Sequence, residues 1–182
     1  QLGLAWHHDI DVGGQSLTAP VAVDGVLYYA AGDSHVFALD ATSGKQLWDY
    51  DSHTRERAGI TMRGAWGSRG IAYANGKVFT GTLDGRLIAI DAKSGTELWS
   101  AQTTTPGDQR YVSGAPWVYG DKVVVGHGGA DYAPVRGYVT AYDQASGKQA
   151  WRFWTVPGNP AVDKDETTQR AASTWKGEWW KY

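Results

Sequence analysis

The sequence contains no cysteine and lacks the features that mark membrane proteins and nucleic-acid-binding proteins. Without cysteine, these 182 residues cannot form disulfides, thiolate metal sites, thiol nucleophiles or covalent haem attachments. No apolar run approaches the roughly 18 residues of a membrane-spanning helix, so we expect no transmembrane segment in this chain. A formal net charge of -2 without a polybasic tract argues against nucleic acid as a partner.

The sequence also has no N-terminal segment that resembles a signal peptide, and it has few stretches that favour helices. The residues after Gln1 do not resemble a signal peptide, so we expect the chain to be mature, trimmed or a fragment. Glycine and tryptophan are abundant instead, with 24 and 10 residues. This composition favours an all-β architecture that is rich in turns.

One eleven-residue motif occurs three times, as ALDATSGKQLW at 38–48, AIDAKSGTELW at 89–99 and AYDQASGKQAW at 141–151. The spacing between its aspartates is 51 and then 52 positions, which is too regular for chance. Alternating apolar residues, an Asp, a Ser-Gly turn and a terminal Trp are typical of two antiparallel strands joined by a hairpin. We expect the Asp to accept bonds from turn amides, the Gly to supply positive φ, and the Trp to pack on the neighbouring unit.

Each unit has four predicted strands, which is the pattern of β-propeller blades that stack radially. We predict an all-β chain with about three blades, at 16–50, 68–101 and 113–154. Residues 1–10 resemble the end of a preceding blade, because an apolar run there ends in a Trp. Closed propellers have about four to eight blades, so we expect a segment of a longer protein.

The final stretch, residues 155–182, departs from the repeat. VPGNP predicts a rigid turn, DETTQRAAS predicts a short helix with Asp165 near its start, and WKGEWWKY is an aromatic cluster. We treat this stretch as an insertion within a single partial propeller domain that spans 1–182.

The third unit differs from the second in the loop between its second and third strands. GHGGADYAPVRG at 126–137 is seven residues longer than GTLDG at 81–85. Its glycines permit close approach of the backbone to a ligand, and it carries His127, Asp131 and Arg136. The alternative is an ordinary loop insertion.

The residues before the first strand of each unit form a second candidate site. If the first strands line a central axis, the hydroxyls of Thr18 and Ser113 and the guanidinium of Arg69 converge there and suit an anionic, oxygen-rich ligand. The alternative is that the hydroxyls make turn hydrogen bonds and that Arg69 is solvated. The residues alone leave both interpretations open.

Several common sites are absent from the sequence. The histidines at 7, 8, 35 and 53 do not have the spacing of zinc ligands. There is no GxSxG elbow and no P-loop, and the GxG of GHGGAD precedes no helix, so a dinucleotide fingerprint fails.

The longer phrases resemble one known family. GKVFTGTLDGRLIAIDAKSG at 76–95, and GGADYAPVRGYVTAYD at 128–143 followed by WRFWTVPGNP, are similar to pyrroloquinoline quinone (PQQ)-dependent alcohol dehydrogenases. The resemblance covers nearly the whole chain. It implies an eight-bladed propeller, a periplasmic location, calcium beside the quinone, and electron transfer to a cytochrome.

The resemblance also implies which residues contact the cofactor. Arg69 matches the family's quinone-contacting arginine, and Ser113 matches a hydroxyl residue at the quinone. Gly128, Gly129 and Ala130 match the small residues beside it.

The same resemblance implies one calcium ligand. Asp131 falls where the family has a calcium-binding glutamate, so a carboxylate is kept with a shorter reach. Calcium takes six to eight oxygen ligands, which makes the loss of one methylene matter. By the order of the family's motifs, the catalytic base is expected beyond Tyr182, so we assign no catalytic residue.

The sequence departs from the family at two further places. The family's adjacent cysteines would fall at about Arg63 and Gly64, so that disulfide is absent, and Trp66 or the Arg63 loop would cover the quinone instead. The family's early glutamate would fall near Ser16 and Leu17, so that its contact is missing or is made by a hydroxyl.

The function implied by the resemblance is oxidation of an alcohol to an aldehyde or ketone, with alcohol as substrate. Short alcohols, polyols, polymers and cyclic alcohols all stay open. One alternative is a non-enzymatic propeller scaffold of the outer-membrane-assembly type, which shares the docking repeats. Another is a decayed homologue.

Overall fold

The computed structural model describes residues 2–58, 67–105 and 107–181. Within these ranges, twelve strands form three four-stranded antiparallel sheets, each ordered as in the chain. Blade 1 contains β1 (Val21–Val23), β2 (Val26–Ala30), β3 (Val36–Asp40) and β4 (Gln46–Tyr50). Blade 2 contains β5 (Ile71–Ala74), β6 (Lys77–Gly81), β7 (Arg86–Asp91) and β8 (Glu97–Gln102). Blade 3 contains β9 (Trp117–Tyr119), β10 (Lys122–Gly126), β11 (Tyr138–Asp143) and β12 (Gln149–Trp154).

The predicted Asp-Ser-Gly turns are confirmed. In blade 1, Asp40 Oδ1 accepts hydrogen bonds from the amides of Thr42 and Ser43 at 3.0 and 2.7 Å. The hydroxyl of Ser43 donates to the same oxygen at 2.7 Å, and these bonds lower the pKa of the Asp40 carboxyl. Gly44 completes the turn with a φ of 72°. Blades 2 and 3 repeat this arrangement at Asp91 and Asp143.

The predicted packing of the tryptophans on neighbouring units is also confirmed. Each docked indole donates its N–H to a carbonyl oxygen of the next repeat and covers that repeat's turn glycine. The bonds are Trp6 to Ala41 at 3.2 Å, Trp48 to Ala92 at 2.9 Å and Trp99 to Gln144 at 3.0 Å. The covered glycines are Gly44, Gly95 and Gly147. One side chain therefore joins consecutive units by both a polar bond and a ring contact.

The core lies between the sheets. One buried cluster joins Tyr28 and Val36 of blade 1 to Ile88 of blade 2. A second cluster joins Phe79 of blade 2 to Val123 and other residues of blade 3. Blade 2 contributes residues to both clusters, because it is the middle blade and packs against a neighbour on each face.

The segments outside the blades match the sequence predictions in part. The predicted C-terminal helix is present as α2 (Glu166–Thr174), and Asp165 is its N-cap, accepting from the Thr168 amide at 3.0 Å. Residues 2–8 form no strand, although Trp6 docks as the other tryptophans do. The short helix α1 (Thr54–Ala58) was not predicted. None of the helices in the described part of the chain is long and apolar enough to cross a membrane.

The connections that carry the candidate site share one end of the sheets. Even-numbered strands run in the same direction in every blade, because each sheet is antiparallel and ordered as in the chain. The β4–β5 connection carries Arg69, the β8–β9 connection carries Ser113, and the β10–β11 connection carries Gly128 to Asp131. Each of the three connections follows an even-numbered strand, so all three begin at the end of the sheets where the even-numbered strands end. The fold thus brings together segments that are distant in sequence.

Candidate functional site

Four of the six predicted site residues line one cavity of about 430 Å³: Arg69, Ser113, Gly128 and Asp131. They come from three connections: one between blades 1 and 2, one between blades 2 and 3, and one within blade 3. Tyr111 and His127 lie among them in the wall of the same cavity. The described residues therefore place a cation, a hydroxyl and a carboxylate around one space.

Backbone contacts fix Arg69 beside Ser113. The Arg69 amide donates to the Ser113 carbonyl oxygen at 2.8 Å. Next to it, a Cβ on Gly70 would lie 3.0 Å from the Cβ of Ala115, and Gly70 also bridges to Ala19 in a parallel pairing. The starts of the three first strands thus adjoin, as the sequence predicted for strands around an axis. The Ser113 residue is 8% exposed, whereas Arg69 is exposed.

Glycines leave the floor of the cavity open. Gly114 and Gly126 both line it, and a Cβ built on either would meet no atom within 4 Å. The backbone at both positions is therefore open to close approach by a ligand. Beside Arg69 and Ser113, such an open backbone suits a flat anionic ligand.

The β10–β11 connection is held against the β8–β9 connection. Gly128 and Tyr111 exchange two backbone hydrogen bonds, at 3.0 and 3.3 Å. The Tyr111 ring packs so closely that a Cβ on Gly128 would lie 2.7 Å from it. Gly129 has a φ of 126° and approaches the Gln109 carbonyl oxygen, so no other residue fits there without strain. Gly129 and Ala130 continue this segment without lining the cavity.

Asp131 is an exposed carboxylate at the edge of the cavity. Among the described residues, no group of three or more His, Cys, Asp or Glu side chains is placed to hold a metal ion. A cation in this cavity would therefore meet one carboxylate, Asp131, among the described lining residues.

His127 is a neutral histidine in the cavity wall. Burial lowers the pKa of its imidazole to about 4, against a weaker opposing effect of the nearby Tyr138 carbonyl. Its Nε2 lies 2.8 Å from the Thr103 hydroxyl, and its ring packs on Tyr138 with 4.2 Å between ring centroids. The side chain thus bridges blade 3 and the exit from blade 2.

Tyr111 is a site residue that sequence reasoning missed. It also lines a second cavity of about 430 Å³, whose mostly polar lining residues include Gln102 and Arg110. The only signal was an aromatic residue two positions before Ser113. That signal is weak because aromatic residues are common in this chain.

The other residues that the sequence predicted near the quinone do not lie in this cavity or lie outside the described residues. Thr18 lines a different cavity, with Trp6 and Pro20, and is not among the residues around Arg69. The Ser16 hydroxyl accepts a 3.2 Å bond from the Gly32 amide, so it serves a turn contact. The predicted cover by Arg63 or Trp66 lies outside the described residues.

Comparison with known proteins identifies the family. Residues 1–182 match the PQQ family described as "Glucose/ethanol/alcohol dehydrogenase, beta-propeller domain". The chain is 48% identical, over 99% of its own length, to quinohemoprotein alcohol dehydrogenase ADH IIB of Pseudomonas putida. It is 43% identical, over 96% of its length, to 1-butanol dehydrogenase (cytochrome c) of Thauera butanivorans. It covers 26% and 25% of those two proteins.

A solved structure agrees with these matches. The crystal structure of quinohemoprotein alcohol dehydrogenase from Comamonas testosteroni superimposes with a TM-score of 0.86 and 41% identity. The superposition covers 96% of this chain and 26% of that protein. It confirms the predicted propeller fold. The chain spans about a quarter of the length of each of these relatives.

Proposed function

The chain belongs to the β-propeller domain family of PQQ-dependent glucose, ethanol and alcohol dehydrogenases, and from this premise we propose that it works within a PQQ- and calcium-dependent alcohol dehydrogenase. That enzyme would oxidise an alcohol to an aldehyde or ketone and pass the electrons to a cytochrome. The observation that carries the proposal is that Arg69, Ser113, Gly128 and Asp131 line one cavity.

Each of these residues has a role that its chemistry supports. The Arg69 guanidinium would bind an anionic group of the cofactor through charge-assisted hydrogen bonds. The Ser113 hydroxyl would donate a further hydrogen bond, and its burial would exclude water from that contact. The backbone at Gly128 would let the ligand approach closely, and the Asp131 carboxylate would provide one calcium ligand.

When bound, PQQ would supply a two-electron acceptor and calcium a Lewis acid. The described residues would hold and orient this pair, and we assign none of them as the base that takes the hydroxyl proton. His127 is unsuited to that step because both of its ring nitrogens face partners, the Thr103 hydroxyl and the Tyr138 carbonyl oxygen.

We further propose a periplasmic location and a cytochrome partner. The support is the family and the relative from Thauera butanivorans, which is described with cytochrome c as its acceptor. A non-enzymatic scaffold would explain the tryptophan-docking repeats equally well. A scaffold would give no reason for a cation, a hydroxyl and a carboxylate around one cavity that is also lined by glycines. We therefore favour the enzyme.

Binding of the cofactor tests this proposal. We would titrate the full-length protein with PQQ, with and without calcium, and follow quenching of tryptophan fluorescence. We expect saturable binding that Arg69→Ala weakens by about tenfold or more, because a charge-assisted contact is lost. Arg170→Ala is the control, since Arg170 lies on α2 with an exposed side chain that reaches Glu166. Equal quinone affinity in the parent and Arg69→Ala would reject Arg69 as a contact.

A further inference from the structure

His127 links the wall of the cavity to a residue outside it, Thr103. It directly follows β10, directly precedes Gly128 and lines the cavity. Its ring has two partners, with Nε2 2.8 Å from Thr103 Oγ1 and Nδ1 3.3 Å from the Tyr138 carbonyl oxygen.

The position of the single imidazole proton follows from these partners. The Thr103 hydroxyl donates its one proton to the Gly85 carbonyl oxygen at 2.6 Å, so its oxygen accepts from His127 Nε2–H. The Gly85 carbonyl oxygen also accepts from the Thr103 amide at 2.8 Å, which holds the hydroxyl in place. The neutral ring therefore carries its proton on Nε2, and the bond to Thr103 is the one that fixes the imidazole.

Thr103 is a rigid anchor for this link. It is 1% exposed and lies directly after β8. Its carbonyl oxygen accepts from the Tyr138 hydroxyl at 2.8 Å and from Arg152 Nη2 at 3.0 Å. Three side chains of blade 3 therefore converge on one residue of blade 2, and His127 is the one of them that leads directly into the Gly128 to Asp131 segment.

We propose that His127 is a positioning residue, whose bond to Thr103 sets the place of the Gly128 to Asp131 segment and so the fit of the quinone and of its metal. This inference rests on the proposed function. His127 acts through the backbone that follows it and is not itself a cofactor contact or a base. Outer contacts of this kind typically change ligand affinity by about 10-fold to 100-fold when removed.

The test is a double-mutant cycle in the full-length protein, read out as the PQQ dissociation constant from fluorescence quenching in excess calcium. His127→Ala and Thr103→Val each cut the same link, so each should weaken binding by about tenfold, and the double variant should be no weaker than about tenfold. His127→Gln should recover part of the affinity, because its amide can both donate and accept. Thr103→Val keeps the side-chain shape if His127→Ala folds poorly.

A second histidine provides a matched control. His35 also has a largely buried ring that stacks on an aromatic neighbour, Phe37, and its Nε2 lies 3.0 Å from Asp49 Oδ2. It is not among the residues that line the site cavity. His35→Ala should leave the PQQ dissociation constant unchanged. With saturating quinone, the KM of His127→Ala for its alcohol should stay within about twofold, because His127 acts on cofactor binding and not on substrate binding.

The outcomes separate the two proposals. Failure of the parent to bind PQQ would overturn the proposed function and this inference with it. Normal binding by the parent, with unchanged dissociation constants in His127→Ala and Thr103→Val, would overturn the inference alone. Losses that multiply in the double variant would do the same, since they would show that the two residues act independently.

Discussion

The indole N–H of Trp48 in blade 1 donates a 2.9 Å hydrogen bond to the carbonyl oxygen of Ala92 in blade 2. The same ring covers Gly95, where a Cβ would lie 2.8 Å from the nearest ring atom. The bond fixes the height of the indole along the next blade, and the glycine fixes how closely the two blades approach. The repeat motif therefore supplies both halves of the contact between blades, the Trp of one copy and the turn of the next.

The close contact at Gly95 predicts an asymmetry between two glycines. Gly95 and Gly76 both occupy the left-handed region, with φ of 75° and 70°. Alanine at either position costs about 1–2 kcal/mol for the positive φ. Gly95→Ala should cost about 1–3 kcal/mol more, because its methyl group also pushes the Trp48 ring away.

Gly76→Ala is the matched control, since a Cβ at Gly76 would meet no atom within 4 Å. The measurement is urea denaturation of the full-length protein followed by tryptophan fluorescence. A clearly lower midpoint for Gly95→Ala than for Gly76→Ala is expected. Equal midpoints would show that the Trp48 contact does not constrain the blades.

The buried histidine predicts a loss of stability in acid. The pKa of His127 is lowered to about 4 by burial, whereas a histidine in an unfolded chain has a pKa of about 6.5. Between these values the unfolded state binds a proton that the folded state does not. Stability therefore falls as the pH drops below about 6.5, and the loss levels off below about 4, at about 3 kcal/mol in total.

His127→Gln should remove this contribution, so its stability should change less than that of the parent between pH 7 and pH 4. The measurement is the denaturation midpoint at each pH. His7→Gln is the control, because His7 is an exposed residue of the N-terminal segment. Parallel losses in the parent and in His127→Gln would contradict a buried neutral imidazole at this position.

Asp131 predicts the response to calcium. Asp131→Ala in the full-length protein should weaken calcium activation by about tenfold or more, because calcium loses a charged oxygen ligand. Asp131→Glu should bind calcium at least as tightly as the parent, since the extra methylene extends the reach of the carboxylate. Calcium titration of the chelated enzyme measures both effects, with the exposed Asp9→Ala as control. Activity that is indifferent to chelators would refute a metal role for Asp131.

The sequence was sufficient for the blades because their signals are local. Alternating apolar residues and the repeated motif with its Ser-Gly turn predicted all twelve strands, and Asp165 marked the start of α2. The bulges were not predicted. In each blade the pairing of the third and fourth strands shifts register, as it does between Ala38 and Leu39 in blade 1. No residue type in the sequence predicts such a shift.

The candidate site was predictable only in part. Arg69, Ser113 and Asp131 were candidates from the residues alone, and the family resemblance gave each of them an expected role at the quinone or the calcium ion. The roles of Tyr111 and His127 depend on how the exit from blade 2 packs against a loop of blade 3. His127 and Thr103 are 24 residues apart, and no periodic pattern links them. Contacts of this kind follow from the stacking of blades and not from the sequence around either residue.

The most direct test of the proposed function is dye-linked alcohol oxidation by the full-length protein, with PQQ and calcium added separately and together, over a panel from methanol to polymeric alcohols. We expect turnover of at least one alcohol only when both are present, because the cavity around Arg69, Ser113 and Asp131 would hold them as a pair. Turnover that needs neither addition and survives chelation, or no turnover together with no quinone binding, would contradict it.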